Sequence, residues 1–363
     1  MTGIKLIEGG VCAAQGFTGA GIHCGVRKNR TKRDLALILS SVPASAAAVY
    51  TTNLVKGAPL EVTKKHLENG LARAVICNSG NANTCNADGI EIAEATCALL
   101  ASELGIAPED VVVASTGVIG QRLSLEPFKT GIPELCKALG PNSHDVGEAI
   151  MTTDCAVSPE MLQKALSTDV QETFNMVSVD GDTSTNDMVA ILANGLAGNA
   201  EIASEGEDFE NFMRALNTVT VHLCRCIAGD GEGATKLLEC RVTGALDKAA
   251  AKTAARGVIC SSLLKAAMFG ADANWGRVLC AIGYSGAKVD IGKVGVAFRS
   301  RAGTVRVCEM GAGIPFSEEE AKAVLSEDEI EILVSLGDGV ASATAWGCDL
   351  TYDYVKINGD YRT

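Results

Sequence analysis

The sequence predicts an α/β protein. Runs of period two, rich in β-branched residues, alternate with longer segments of helical period, and glycine-rich polar cassettes fall where strand runs end. In chain order, LALIL predicts a strand at 35–39 and AAVYTT a second at 47–52, with Ser41 and Pro43 between them. A helix is expected at 60–69, then a strand at 74–77 (AVIC), a helix at 91–104 and a strand at 111–114 (VVVA). Helices follow at 132–139 and 159–166, the latter opened by Ser158 as N-cap and Pro159 at the first helical position. The pattern continues with a strand at 176–179, a helix at 187–193 and a long helix at 209–227. Beyond these it predicts a strand at 237–242, a helix at 248–256 and strands at 294–298 and 304–308. Ser317 with Glu320 forms a capping box ahead of a helix at 318–325, and strands at 330–336 and 352–357 end the pattern. GFTGAGIHCG (16–25) has its glycines out of order for a dinucleotide loop and no clear strand before it, so it reads as a turn.

With 363 residues, 47% of them apolar and 21% charged, the chain can bury a sizeable core. The pattern turns strand-rich near Glu239, which suggests one domain over 1–239 and a smaller α/β region over 240–363. A net charge of -13 argues against partners whose affinity depends on Lys and Arg meeting phosphates, so no nucleic-acid partner is expected. Apolar runs are too short to span a bilayer, and MTGIKLIEGG lacks the layout of a signal peptide. A cytoplasmic protein with no membrane partner is the expectation. Fourteen cysteines scattered through apolar settings read as free thiols. His222, Cys224 and Cys226 in HLCRC fall in a helical run, where the three do not share a face, so no metal site is expected there.

The chemistry is concentrated in four cassettes: NSGNANT (78–84), ASTGVIG (114–120), DGDTSTND (180–187) and GDGEGATK (229–236). Their glycines, amides and hydroxyls suit a site that binds a polar substrate or an oxyanion. The sequence has no GxSxG elbow, HExxH, CxxC pair or phosphate loop, and His23, His66 and His144 lie in polar stretches that suggest surface or capping roles. What remains is a hydroxyl nucleophile working without histidine, with Thr116 and Gly117 as candidate oxyanion donors in the turn after a strand.

Together with ADANWGRVLCAIGYSGA (271–287), AWGCDLTYDYVKIN (345–358) and the terminal YRT, these cassettes resemble the ornithine acetyltransferase family, the bifunctional glutamate N-acetyltransferases of arginine biosynthesis. The likeness covers essentially the whole chain. It implies a layered αββα sandwich of two mixed sheets with outer helices, and acetyl transfer from N-acetylornithine to glutamate, with acetyl-CoA as a possible further substrate. No resident cofactor is implied, and a homo-oligomer is. By the same likeness Thr116 and Gly117 match the oxyanion-hole pair, and Thr152, Glu232, Asn358 and Thr363 match substrate-binding positions. Members of the family cut themselves, and the freed N-terminal threonine carries the acetyl group.

One departure from the family pattern is large. The family separates two TTD-containing segments by a few dozen residues that hold the cleavage site and the nucleophile. Here 149–154 reads like the first copy and 155–160 like the stretch after the second, so the nucleophile has no counterpart. Thr153 and Thr235 belong to other motifs and are not expected to replace it. The resemblance thus implies an impaired enzyme, or alternatively a non-catalytic substrate-binding or assembly subunit. Loss of a core strand with that segment is expected to expose a strand edge or an apolar face.

Overall fold

The computed structural model describes residues 3–7, 9–142 and 150–359. The chain forms two compact units, 1–168 with 183–215 and 169–182 with 216–363. The boundary expected near Glu239 falls instead inside a strand of the second unit, where Glu239 is paired with Glu331 on one side and Trp346 on the other. A chain held by ladders on both edges cannot part there.

Labelled in chain order, the first unit holds β1 (Phe17–Ile22), β2 (Leu35–Tyr50), β3 (Leu71–Asn81), β4 (Val111–Val118), β5 (Ile150–Thr153) and β7 (Met188–Ala193). They form one mixed sheet in the order β4-β3-β2-β7-β5, with β1 paired to β2. The strands expected at 35–39 and 47–52 are one long strand. Its first part pairs with β1 and β3, its last part pairs with β7, and the register with β3 breaks between Leu39 and Ala44, where Pro43 has no N–H for a ladder.

Two other expectations fail in this unit. The segment MVAILA is β7 and not a helix: a run of six apolar residues satisfies both periods, and its neighbours β2 and β5 supply ladder partners on both edges. FTGAGI is β1 and not a turn, paired antiparallel to β2 despite its glycines.

Alternation along the strands sorts the core into two clusters. Leu35, Leu37, Ala74, Ile76, Val111 and Val113 pack with residues of α1 (Ala58–His66), α2 (Gly89–Leu104) and α3 (Glu126–Lys137). Their neighbours in sequence, Ile38, Val75, Cys77 and Val112, gather with Ile150 and Leu192 in the other cluster. Leu192 is fully buried, so Leu192→Ala is expected to destabilise by about 2–5 kcal/mol in urea unfolding, because the site collapses only partly around the cavity. Leu71→Ala, at a residue 39% exposed, should change stability by about 0.5 kcal/mol or less.

The second unit carries a seven-stranded mixed sheet. It comprises β6 (Val177–Ser178), β8 (Leu237–Ala245), β9 (Gly295–Ser300), β10 (Gly303–Glu309), β11 (Ala312–Gly313), β12 (Glu329–Ser335) and β13 (Ala341–Cys348). One buried cluster joins Leu238, Cys240, Val242, Ile332 and Phe298 of these strands to α6 (Lys248–Ile259), α7 (Ser262–Phe269), α8 (Trp275–Tyr284) and α9 (Glu318–Leu325). Ser158 caps α4 (Pro159–Asp169), which starts in the first unit, and Ser317 caps α9, each hydroxyl accepting from a backbone N–H, of Met161 and Glu320; at Ser317 this is the serine half of the expected capping box. The expected strand at 352–357 is helix α10 (Tyr352–Gly359), since the Thr351 hydroxyl accepts from the Tyr354 N–H and caps a helical turn. The sequence pattern predicts the α/β class, and the two mixed sheets, each with helices packed on it, agree with the layered α/β fold that the family resemblance implies.

None of the fourteen cysteines is in a disulfide. On α5 (Glu207–Gly229) His222 and Cys226 share a face, with Sγ 3.6 Å from Nε2, while Cys224 is buried. Among the described residues no helix is long and apolar enough to cross a membrane.

Candidate functional site

The first two cassettes lie side by side at the ends of the parallel strands β3 and β4. Asn78 pairs with Ser115, Ser79 with Thr116 and Gly80 with Gly117. Gly117 has φ 129°, and a Cβ there would stand 2.3 Å from the Gly80 carbonyl carbon and 2.5 Å from the Asn81 nitrogen. Only glycine permits that approach. The Ser115 hydroxyl donates to Asn78 Oδ1 at 2.6 Å, and the buried Asn78 amide donates to the Asn81 carbonyl at 2.9 Å. Thr116 is exposed, and its hydroxyl has no partner among the described residues.

Part of the third cassette fastens the first two. Asn186 Nδ2 donates to the carbonyls of Ala82 (2.6 Å) and Ser115 (3.0 Å), and its Oδ1 accepts from the Thr84 hydroxyl at 3.0 Å. One amide therefore ties the loop after β3 to the end of β4. Thr152, on the edge strand β5, donates its hydroxyl to the Val11 carbonyl at 2.5 Å.

In the second unit the fourth cassette is held by Asp349, which is 3% exposed. Its Oδ1 accepts from the backbone N–H of Thr235 (2.8 Å) and Lys236 (2.9 Å), and its Oδ2 accepts from the Thr235 hydroxyl (2.5 Å). That hydroxyl anchors the loop and is not free to attack. Thr351 Oγ1 donates to the Gly233 carbonyl at 2.7 Å, and a Cβ on Gly233, at φ 69°, would meet the Tyr354 nitrogen at 2.7 Å. Within this frame Asn358 Nδ2 donates to Glu232 Oε2 at 2.7 Å and to the Tyr354 carbonyl at 3.0 Å. Burial pushes the Tyr354 phenol up to about 12, helped by the bond from its hydroxyl to Asp180.

The structure thus brings Thr116 and Gly117 against the first cassette in one unit, and Glu232 against Asn358 in the other. Thr363 and His144 lie outside the described residues. His66, expected at the surface or in a cap, is buried, with Nδ1 donating to the Val111 carbonyl at 2.8 Å. Two organising residues, Asn186 and Asp349, are not marked by the sequence. Both sit inside quoted motifs, but nothing local distinguishes a side chain whose partners lie a hundred residues away. A groove of about 450 Å³ elsewhere in the second unit is lined by Arg225, Glu239, Arg241 and Glu331, whose charges pair with one another. None of the expected site residues lines it.

A family model described as the ArgJ family matches residues 18–157 and 149–363. The two matches overlap at residues 149–157. The arginine biosynthesis bifunctional protein ArgJ of Symbiobacterium thermophilum is 45% identical over 406 aligned positions, covering 99% of this chain and all of the relative. ArgJ 1 of Clostridium acetobutylicum is 43% identical over 392 positions, covering 96% of each chain. Both alignments are longer than the chain of 363 residues, so each relative holds residues with no counterpart here. A crystal structure of the ArgJ protein from Bacillus halodurans matches with a TM-score of 0.55 at 47% identity, covering 58% of this chain and 97% of that one.

Proposed function

Because the chain belongs to the ArgJ family, we propose that it keeps the binding apparatus for acetyl transfer from N-acetylornithine to glutamate in arginine biosynthesis but lacks the nucleophile. The observation that supports this reading is the overlap of the two family matches at 149–157, which is what a chain would give if one TTD segment stood for the family's two and the residues between them were absent. The family's chemistry needs a threonine whose own α-amine takes the hydroxyl proton, and that amine exists only after the chain is cut before it. In an uncut chain every internal threonine has an amide nitrogen there, which is not a base. Thr153 accepts from the Cys155 N–H and Thr235 donates to Asp349, so neither hydroxyl is paired with a general base in a cleaved terminus.

In this reading Thr116 and Gly117 receive the acetyl oxygen, and Thr152, Glu232, Asn358 and Thr363 hold the amine and carboxylate of an acetylated amino acid. Acetyl-CoA belongs to it as a second acyl donor, a substrate and not a resident cofactor. The protein is cytoplasmic and a homo-oligomer. The purified protein is expected to show one intact mass near 37.5 kDa and to form no N-acetylglutamate from N-acetylornithine and glutamate. Calorimetry should still register binding of N-acetylornithine. Two fragments, or acetylornithine-dependent N-acetylglutamate, would overturn the loss of turnover. An absence of heat with ornithine, N-acetylornithine and glutamate would sink the binding role.

A further inference from the structure

We propose that the turn joining β1 to β2 is a binding site for a small polyphosphate, a ligand bearing a di- or triphosphate group. From Arg27 to Arg33 the chain reads RKNRTKR, five basic residues in seven with no acid, inside a protein of net charge -13. The net charge argues against phosphate partners for the whole chain, but a ligand meets a local potential, and that one turn is strongly positive.

The turn is built rather than loose. Asp34, which is 2% exposed, accepts at its base from the backbone N–H of Cys24 (2.6 Å), Arg27 (2.8 Å) and Gly25 (3.1 Å). Burial alone would raise its pKa, yet these N–H donors outweigh burial and hold the carboxyl below its ordinary range. At the tip, Asn29 Oδ1 accepts from the Thr31 N–H (2.9 Å) and hydroxyl (2.7 Å). Lys28, Arg30 and Lys32 are exposed, and none of them pairs with an acid among the described residues. Arg27 turns inward instead: Nη2 donates to the Ser79 hydroxyl, beside the paired cassettes of β3 and β4, and its buried Nε has no acceptor.

Three unpaired cations on a braced seven-residue turn exceed what a single carboxylate needs and match the charge of a diphosphate. A long polyanion fits poorly, because beyond the turn it would cross the surface of an acidic chain. The inference requires no acetyl transfer, and it stands whether or not acetyl-CoA, itself a diphosphate-bearing molecule, is a ligand of the protein.

The test is titration of the full chain with inorganic pyrophosphate, ADP, AMP and a single-stranded oligonucleotide at two salt concentrations. Pyrophosphate and ADP should bind more tightly than AMP, and less tightly at higher salt. The triple variant Lys28→Gln, Arg30→Gln, Lys32→Gln should lose at least tenfold in affinity with an unchanged melting temperature. The charge-matched control Lys56→Gln, Lys64→Gln, Lys137→Gln should lose less than threefold. No binding of pyrophosphate or ADP at millimolar concentration would overturn the proposal. So would equal losses in the two triple variants, or an oligonucleotide binding more tightly than either small ligand.

Discussion

Gly117→Ala is expected to destabilise the protein by about 4 kcal/mol or more, while Gly120→Ala, three residues on, should cost only about 1–2 kcal/mol. Both glycines have positive φ, 129° and 76°, so both substitutions carry backbone strain. The difference lies in what a Cβ meets. At Gly120 it meets nothing within 4 Å, whereas at Gly117 it lands on the backbone of Gly80 and Asn81. Backbone cannot swing aside as a side chain can, so the parallel pair β3–β4 must part at the point where Thr116 is presented. Urea unfolding of the two variants measures the gap directly. Equal losses at the two positions would mean that the strands tolerate separation there and that glycine is needed for its φ alone.

That close approach explains the glycines of the cassettes, whose letters alone mark a candidate site. Gly, Asn, Ser and Thr are dense because amides and hydroxyls bridge the loop and the strand ends, as Asn78, Ser115 and Asn186 do. The pairing of Glu232 with Asn358 is legible only through the family likeness, since 126 residues separate them and no periodicity links them. The basic turn is plain as letters, RKNRTKR, and is masked by the net charge of the whole chain.

The fold is legible where length and period agree and opaque where they do not. VVVA and AVIC lie between glycine-rich turns and helices and pair as β4 and β3. MVAILA and YDYVKI carry no decisive period, so tertiary context chooses: ladders on both edges make the first a strand, and the Thr351 cap makes the second a helix. FTGAGI is concealed by glycines that a strand ordinarily avoids, and it forms because β2 offers six consecutive partners. The break in register at Pro43 lets one strand look like two.

Asp349→Ala is expected to cost about 3–5 kcal/mol, because it strips the acceptor from two backbone N–H groups and a hydroxyl beside a buried ammonium. Asp349→Asn keeps an oxygen for the Thr235 and Lys236 N–H groups and can offer its amide to the Thr235 hydroxyl, so about half that loss is expected. The pH dependence separates the two contributions. Lys236 donates to the carbonyls of Met268 (2.6 Å) and Leu325 (2.7 Å); burial holds its pKa below the ordinary 10.5, and the Asp349 charge pulls it partly back. A lysine with a lowered folded pKa costs stability while it is charged, and the cost fades as pH rises from the folded pKa toward the unfolded one. Removing Asp349 deepens that cost. The gap between the Ala variant and the parent protein should therefore narrow as pH rises from about 7 to about 10. Urea unfolding at both ends of that range measures it: a narrowing gap assigns part of the loss to the Lys236 charge, and a constant one assigns all of it to the orphaned hydrogen-bond donors.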